Sequence, residues 1–189
     1  DETKVLIETQ SESIYRRSYS AIFYLLDLET KKLIPLDEKR QPQTLAEYSP
    51  DGKKVSFIYE NNLYIKDIAS GEVTAITTDG NRNEIINGTT DWVYEEEFAI
   101  TKGYDWSPDS KHIAFLKFNE KEVTEFTMMY FSELYPDAYT FKYPKAGEDN
   151  SKVSLQMFKI EDQSTVKIDL GEYEYIPRLK WTNDVNTLC

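Results

Sequence analysis

The chain of 189 residues holds one cysteine, Cys189, and one histidine, His112. A lone cysteine excludes an internal disulfide, and it leaves the compartment open because many periplasmic proteins also lack disulfides. No apolar run approaches the roughly 18 residues needed to cross a bilayer as a helix, and no secretory apolar region is present. Positive charge is also scarce: 22 Lys and Arg stand against 34 Asp and Glu, a net charge of −12. Such a field repels nucleic acid and anionic membranes and mildly attracts cationic ligands, so a nucleic-acid partner is excluded from the reading. No Gly-x-Ser-x-Gly nucleophile elbow occurs, and no Asp-x-Asp-x-Asp-Gly loop marks a calcium site. Neither a cofactor nor a metal is implied.

What remains is strand-forming and globular. Hydrophobic residues make up 40% of the chain, and fourteen Tyr with nine Phe favour strands over helices. One pattern recurs: an aromatic residue, Ser-Pro-Asp, a polar turn, then a β-branched apolar run. It reads Tyr48-Ser49-Pro50-Asp51-Gly52 before Val55, and Trp106-Ser107-Pro108-Asp109-Ser110 before Ile113. A weaker copy runs from Trp181 to Cys189, and Asp1-Glu2-Thr3-Lys4-Val5 fits the same register. The Asp residues at 1, 51, 109 and 184 define units of 50, 58 and 75 residues. Four strands per unit at a period near 40–50 residues is the mark of a β-propeller.

Three closing hairpins are predicted: Tyr24–Leu36, Leu63–Ile76 turning at Ala69-Ser70-Gly71, and Leu155–Ile168 turning near Asp162-Gln163. A tighter turn is expected at Asn61-Asn62. The longer units place insertions at about 79–103 and 119–152. The second reads as an irregular arm. Insertions between scaffold strands are where function is usually hung. Asn87-Gly88-Thr89 matches a glycosylation sequon but reads as a turn. His112 takes the repeat position of Lys54, an ordinary strand position without catalytic meaning.

Within the first insertion stands Asp91-Trp92-Val93-Tyr94-Glu95-Glu96-Glu97-Phe98. An anonymous acidic triplet is a solvated charge run. Here Trp92, Tyr94 and Phe98 anchor the segment in apolar surroundings, which would hold some of the carboxylates in a fixed, partly dry place. A rigid pair of anions suits a cationic group such as a peptide's α-ammonium.

This segment resembles the glutamate motif of the dipeptidyl peptidase IV family of serine exopeptidases, within the prolyl oligopeptidase group. The resemblance continues through Trp106-Ser107-Pro108, Phe118-Asn119 and Tyr143-Pro144-Lys145-Ala146-Gly147. It implies an all-β fold, a partial β-propeller of about three four-stranded blades, with a short helical insertion carrying the motif. By that resemblance Glu96 and Glu97 bind the substrate's N-terminal ammonium, with Glu95 less important. Tyr15-Arg16-Arg17-Ser18-Tyr19 matches an aromatic-Arg-x-Ser-Tyr segment whose first Arg reaches the bound peptide's carbonyl. That assigns Arg16 and leaves Arg17 exposed.

The resemblance further implies that residues 1–189 are a piece of an N-terminal propeller whose catalytic Ser, Asp and His lie in a missing α/β-hydrolase domain. These residues alone should therefore hydrolyse no Xaa-Pro chromogenic substrate. The parent would remove Xaa-Pro or Xaa-Ala dipeptides from peptide N-termini, as a homodimer, in the periplasm or cell envelope of a bacterium. A tripeptidyl or endopeptidase relative, or a non-enzymatic propeller scaffold, are the alternatives. Unpaired strand edges are expected near Asp1 and Cys189.

Overall fold

The computed structural model describes residues 3–189; Asp1 and Glu2, with the edge expected at Asp1, lie outside the described residues. Strands β1 (Lys4–Ser13), β2 (Tyr19–Asp27) and β3 (Leu33–Pro35) form a first antiparallel sheet. Strands β4 (Thr44–Tyr48), β5 (Lys54–Tyr59), β6 (Asn62–Asp67) and β7 (Val73–Ala75) form a second, in chain order. The third is built on β10 (His112–Asn119), which pairs with β13 (Lys152–Lys159) on one side. On its other side β10 takes both β8 (Ile85–Asn87) and β9 (Tyr104–Trp106), while β14 (Thr165–Ile168) closes the sheet beyond β13. Between these elements lie, among the described residues, one helix, α1 (Trp92–Phe98), and a separate hairpin of β11 (Glu125–Tyr130) with β12 (Asp137–Lys142).

The period-two alternation of each central strand stacks the sheets. On β5, Val55 and Phe57 join Phe23, Leu25 and Leu36 of the first sheet and its flank. On the opposite face of β5, Ile58 packs with Tyr104, Trp106, Ile113 and Phe115 of the third sheet. On β10 the same alternation sends Ala114, Leu116 and Phe118 away from the second sheet, toward Tyr94, Ile176 and Trp181. Both faces of each middle sheet are thus buried, at about 1.5–3 kcal/mol for each large apolar side chain. Ser56, fully buried between two sheets, accepts from Trp106 Nε1 at 2.9 Å and donates to the Tyr104 hydroxyl at 3.1 Å. This is an all-β partial propeller with one helical insertion.

The recurring Ser-Pro-Asp has a physical task. Ser49 Oγ accepts the Lys54 N–H at 3.0 Å and donates to Asp51 at 2.7 Å. Ser107 repeats both bonds, with His112 N–H at 2.9 Å and Asp109 at 2.7 Å. The following positions, Gly52 and Ser110, both take left-handed backbone, at φ 68° and 60°. His112 therefore sits at an ordinary strand position, opposite Lys159.

The three closing hairpins form at the expected places, with Tyr24 opposite Pro35, Tyr64 opposite Ala75 and Leu155 opposite Ile168. Three expectations need correction. The tight turn between β5 and β6 is Glu60-Asn61 rather than Asn61-Asn62: Tyr59 pairs with Asn62, and the two turn residues carry φ of 47° and 58°. The second insertion is not irregular, because β11 and β12 pair continuously from Glu125–Lys142 to Tyr130–Asp137. All of β11 is exposed, so no buried face imposed an alternating pattern on its sequence. Asn87 is not a turn residue: it ends β8 fully buried, its Nδ2 donating to Asn61 O and Asp79 Oδ1, so the sequon is inaccessible in the fold. Cys189 exchanges both backbone hydrogen bonds with Lys180, at 2.7 and 2.8 Å, which pairs one side of the chain there and leaves the expectation of an edge on the other side untouched.

Candidate functional site

Helix α1 is only seven residues long, too short to persist without outside support. Asp91 caps it, Oδ1 accepting the Tyr94 N–H at 2.9 Å. Its Oδ2 accepts from Ser151 at 2.6 Å, sixty residues further along. Burial raises the Asp91 carboxyl above its ordinary value, opposed by the Ser151 and Tyr94 bonds. Ala99 ends the helix in left-handed backbone at φ 57°. The aromatic anchors lock it from three directions. Trp92 meets Tyr143 edge-on at 4.5 Å, and Tyr94 meets Phe98 and Phe118 at 5.0 and 4.8 Å. The Tyr94 hydroxyl, pushed up to about 12 by burial, accepts the Ile176 N–H at 2.8 Å.

Successive helical residues diverge by about 100°, so the three acids cannot share one environment. Glu95 is 2% exposed, and its Oε1 accepts the backbone N–H groups of Arg17 and Ser18 at 2.7 and 2.8 Å. Glu96 is half-buried, and its Oε2 lies 2.9 Å from Arg16 Nε. Glu97 is exposed and, among the described residues, its side chain forms no hydrogen bond or ion pair. Arg16 and Glu96 thus meet across 80 residues of sequence, with Glu97 beside them on the helix. The arrangement presents two carboxylates and a guanidinium, able to receive an ammonium and a neighbouring carbonyl together. Arg17 is exposed; only its backbone N–H joins the cluster.

Next to this cluster is a cavity of about 930 Å³, lined among others by Tyr15, Glu95, Glu120, Tyr139 and Lys142. Glu96, Glu97 and Arg16 are not among its lining residues, so this trio and the cavity are neighbouring features rather than one pocket. Glu120 is 5% exposed, and burial, with Asp91 adding to it and Lys142 opposing it, raises its carboxyl to about 7. Burial and the adjacent Tyr139 likewise raise the Tyr15 hydroxyl. Sequence reasoning did not single out Glu120 or Ser151, and it gave Glu95 no structural task. Three identical residues in a row carry no signal of which one faces inward.

The profile of the family described as the dipeptidyl peptidase IV (DPP IV) N-terminal region matches residues 1–189. The chain belongs to that family. As a DPP IV N-terminal region it is 38% identical over 187 residues to the probable dipeptidyl-aminopeptidase B of Penicillium rubens, covering 91% of this chain and 21% of that protein. The corresponding protein of Fusarium vanettenii is 37% identical over 205 residues, covering 97% of this chain and 22% of that one. The crystal structure of Porphyromonas gingivalis dipeptidyl peptidase 4 superimposes with a TM-score of 0.94 at 42% identity, over 98% of this chain and 27% of that one. A putative dipeptidyl aminopeptidase IV from Bacteroides ovatus shares the fold, with a TM-score of 0.67 at 21% identity, over 92% of this chain and 24% of that one. The DPP IV region therefore spans about a fifth of the length of the curated relatives it matches.

Proposed function

We propose that this chain is the substrate-recognition part of a serine-type dipeptidyl peptidase that removes Xaa-Pro or Xaa-Ala dipeptides from peptide N-termini. The observation that carries the reading is the Arg16–Glu96 contact at 2.9 Å, with Glu97 adjoining it on a rigid helix. In this reading Glu96 and Glu97 hold the α-ammonium and Arg16 donates to the nearby carbonyl. Each charge-assisted bond contributes about 1.5–3 kcal/mol. Fixing the ammonium sets how far the chain reaches, so that the second peptide bond meets a nucleophile supplied from outside these 189 residues. Binding energy is thereby spent on orientation. The family names of the relatives support a peptidase, and a periplasmic or cell-envelope location belongs to the same proposal.

The test uses full-length protein with Glu96→Ala and Glu97→Ala, assayed on an Xaa-Pro chromogenic substrate with a free and with an acetylated N-terminus. Each variant should lose at least about tenfold in kcat/KM, one good charge-assisted contact being worth that much. The wild type should reject the acetylated substrate. Wild-type kinetics in both variants, or equal cleavage of the two substrates, refutes the reading. Release of tripeptides instead of dipeptides refutes the length assignment alone.

A further inference from the structure

A carboxylate removed from water needs donors, and it is expensive to bury without them. Glu95 finds two, both on the backbone of the loop joining β1 to β2: the N–H groups of Arg17 and Ser18, at 2.7 and 2.8 Å from one oxygen. That loop has a closed shape of its own, Ile14 N–H donating to Ser18 O at 2.9 Å and Tyr15 N–H to Ser18 Oγ at 3.2 Å. Arg16 is the loop residue just before the two donors. Its side chain is 73% exposed and is met by Glu96 alone among the described acids. A long, solvated arginine holds one direction poorly, since ordering it opposes considerable rotamer entropy. The stem from which it projects must therefore be fixed by something else. The buried Glu95 carboxylate meets that requirement, and it belongs to the same helix that carries Glu96 and Glu97.

We propose that Glu95 is a positioning residue: it latches the Ile14–Ser18 loop to helix α1, so that the Arg16 guanidinium stands beside the Glu96–Glu97 pair. This rests on the ammonium-binding reading above. The triplet then divides its work along the helix, one acid holding the loop backbone, one meeting the arginine and one facing solvent. Glu95 itself is occupied by its two N–H groups and takes no part in contacting the ammonium.

The test uses full-length protein in five forms: wild type, Glu95→Ala, Glu95→Gln, Arg16→Ala and the double variant R16A/E95A. Steady-state kinetics are measured on a free-amine Xaa-Pro chromogenic substrate, and amide hydrogen exchange is followed over residues 14–20. Glu95→Ala should raise KM about tenfold or more, because a misplaced binding group can weaken a step by up to about a hundredfold. Glu95→Gln should recover most of that, since its amide oxygen can accept the same two N–H groups. In the Arg16→Ala background, Glu95→Ala should add little further loss, and exchange at Arg17 and Ser18 should accelerate only where Glu95 is replaced by Ala.

Unchanged KM in Glu95→Ala overturns the proposal. So does an undiminished effect of Glu95→Ala in the Arg16→Ala background, or a Gln variant as impaired as the Ala variant. Should circular dichroism show Glu95→Ala unfolded, Glu95→Asp, whose shorter side chain draws the carboxylate back from the two N–H groups, is compared in the two backgrounds instead. A KM effect of equal size with and without Arg16 then decides against the latch. Failure of the ammonium reading is seen separately, as wild-type kinetics in Glu96→Ala and Glu97→Ala while the exchange result stands.

Discussion

Replacing Glu120 with Gln should stabilise the fold, and only above mildly acidic pH. Glu120 is 5% exposed beside the cavity, and its carboxyl is raised from 4.5 to about 7, first by burial and then by the charge of Asp91, with Lys142 giving partial relief. In the unfolded chain the group returns to its ordinary value. Below pH 4.5 it is protonated in both states and contributes no penalty. Between 4.5 and about 7 the folded protein keeps a proton that the unfolded chain releases, so stability falls as pH rises through that window. Above about 7 the loss is complete and constant. At 1.36 kcal/mol for each pH unit, the penalty on the ionised form is about 3 kcal/mol. Glu120→Gln removes the ionisable group while keeping its size. Urea unfolding of the chain at pH 4.5 and pH 8 should therefore show a variant close to wild type at the lower pH and more stable by about 2–3 kcal/mol at the higher. An equal difference at both pH values, or a less stable variant at pH 8, would refute the assignment of Glu120 as a buried, reluctant acid.

Two further outcomes follow from the geometry. Gly88 sits at φ 77° with its N–H on Leu116 O, and an added Cβ would lie 2.9 Å from Ile58 Cδ1; Gly88→Ala should destabilise the fold by about 2 kcal/mol, read as a lower urea midpoint at unchanged slope. The tip of the β11–β12 hairpin leaves Phe131, Leu134 and Tyr135 at 77%, 89% and 79% exposure, and a homodimer of the full-length protein is proposed to use it. Changing all three to Ser should shift that dimer toward monomer in sedimentation, and an unchanged dimer places its interface elsewhere.

The sheets were legible because their signals are local. Ser49-Pro50-Asp51 and Ser107-Pro108-Asp109 announce a turn whose bonds lie within five residues, and the hairpin turns carry their own polar residues. The Glu motif was legible as a segment anchored by Trp92, Tyr94 and Phe98, while its helical form was implied by the family resemblance alone. The one-residue displacement of the Glu60-Asn61 turn was not, since two adjacent asparagines serve either register and only the pairing of Tyr59 with Asn62 decides. Nor was the pairing of β11 with β12, because β11 is exposed along its whole length and carries no alternation. The separate duties of Glu95, Glu96 and Glu97 depend on what meets each face of α1, and Arg16, Arg17 and Ser18 come from nearly 80 residues upstream.

Helix α1 also sets a schedule. Its cap is completed by Ser151, Trp92 leans on Tyr143, and the Tyr94 hydroxyl waits for the N–H of Ile176. A ribosome delivers the glutamates long before any of these partners, and seven residues do not stay helical unaided. The nascent motif is therefore an unstructured acidic stretch until some eighty more residues have emerged. For the same reason, a short peptide copied from the motif, or the motif transplanted into a foreign loop, would carry the letters without the shape.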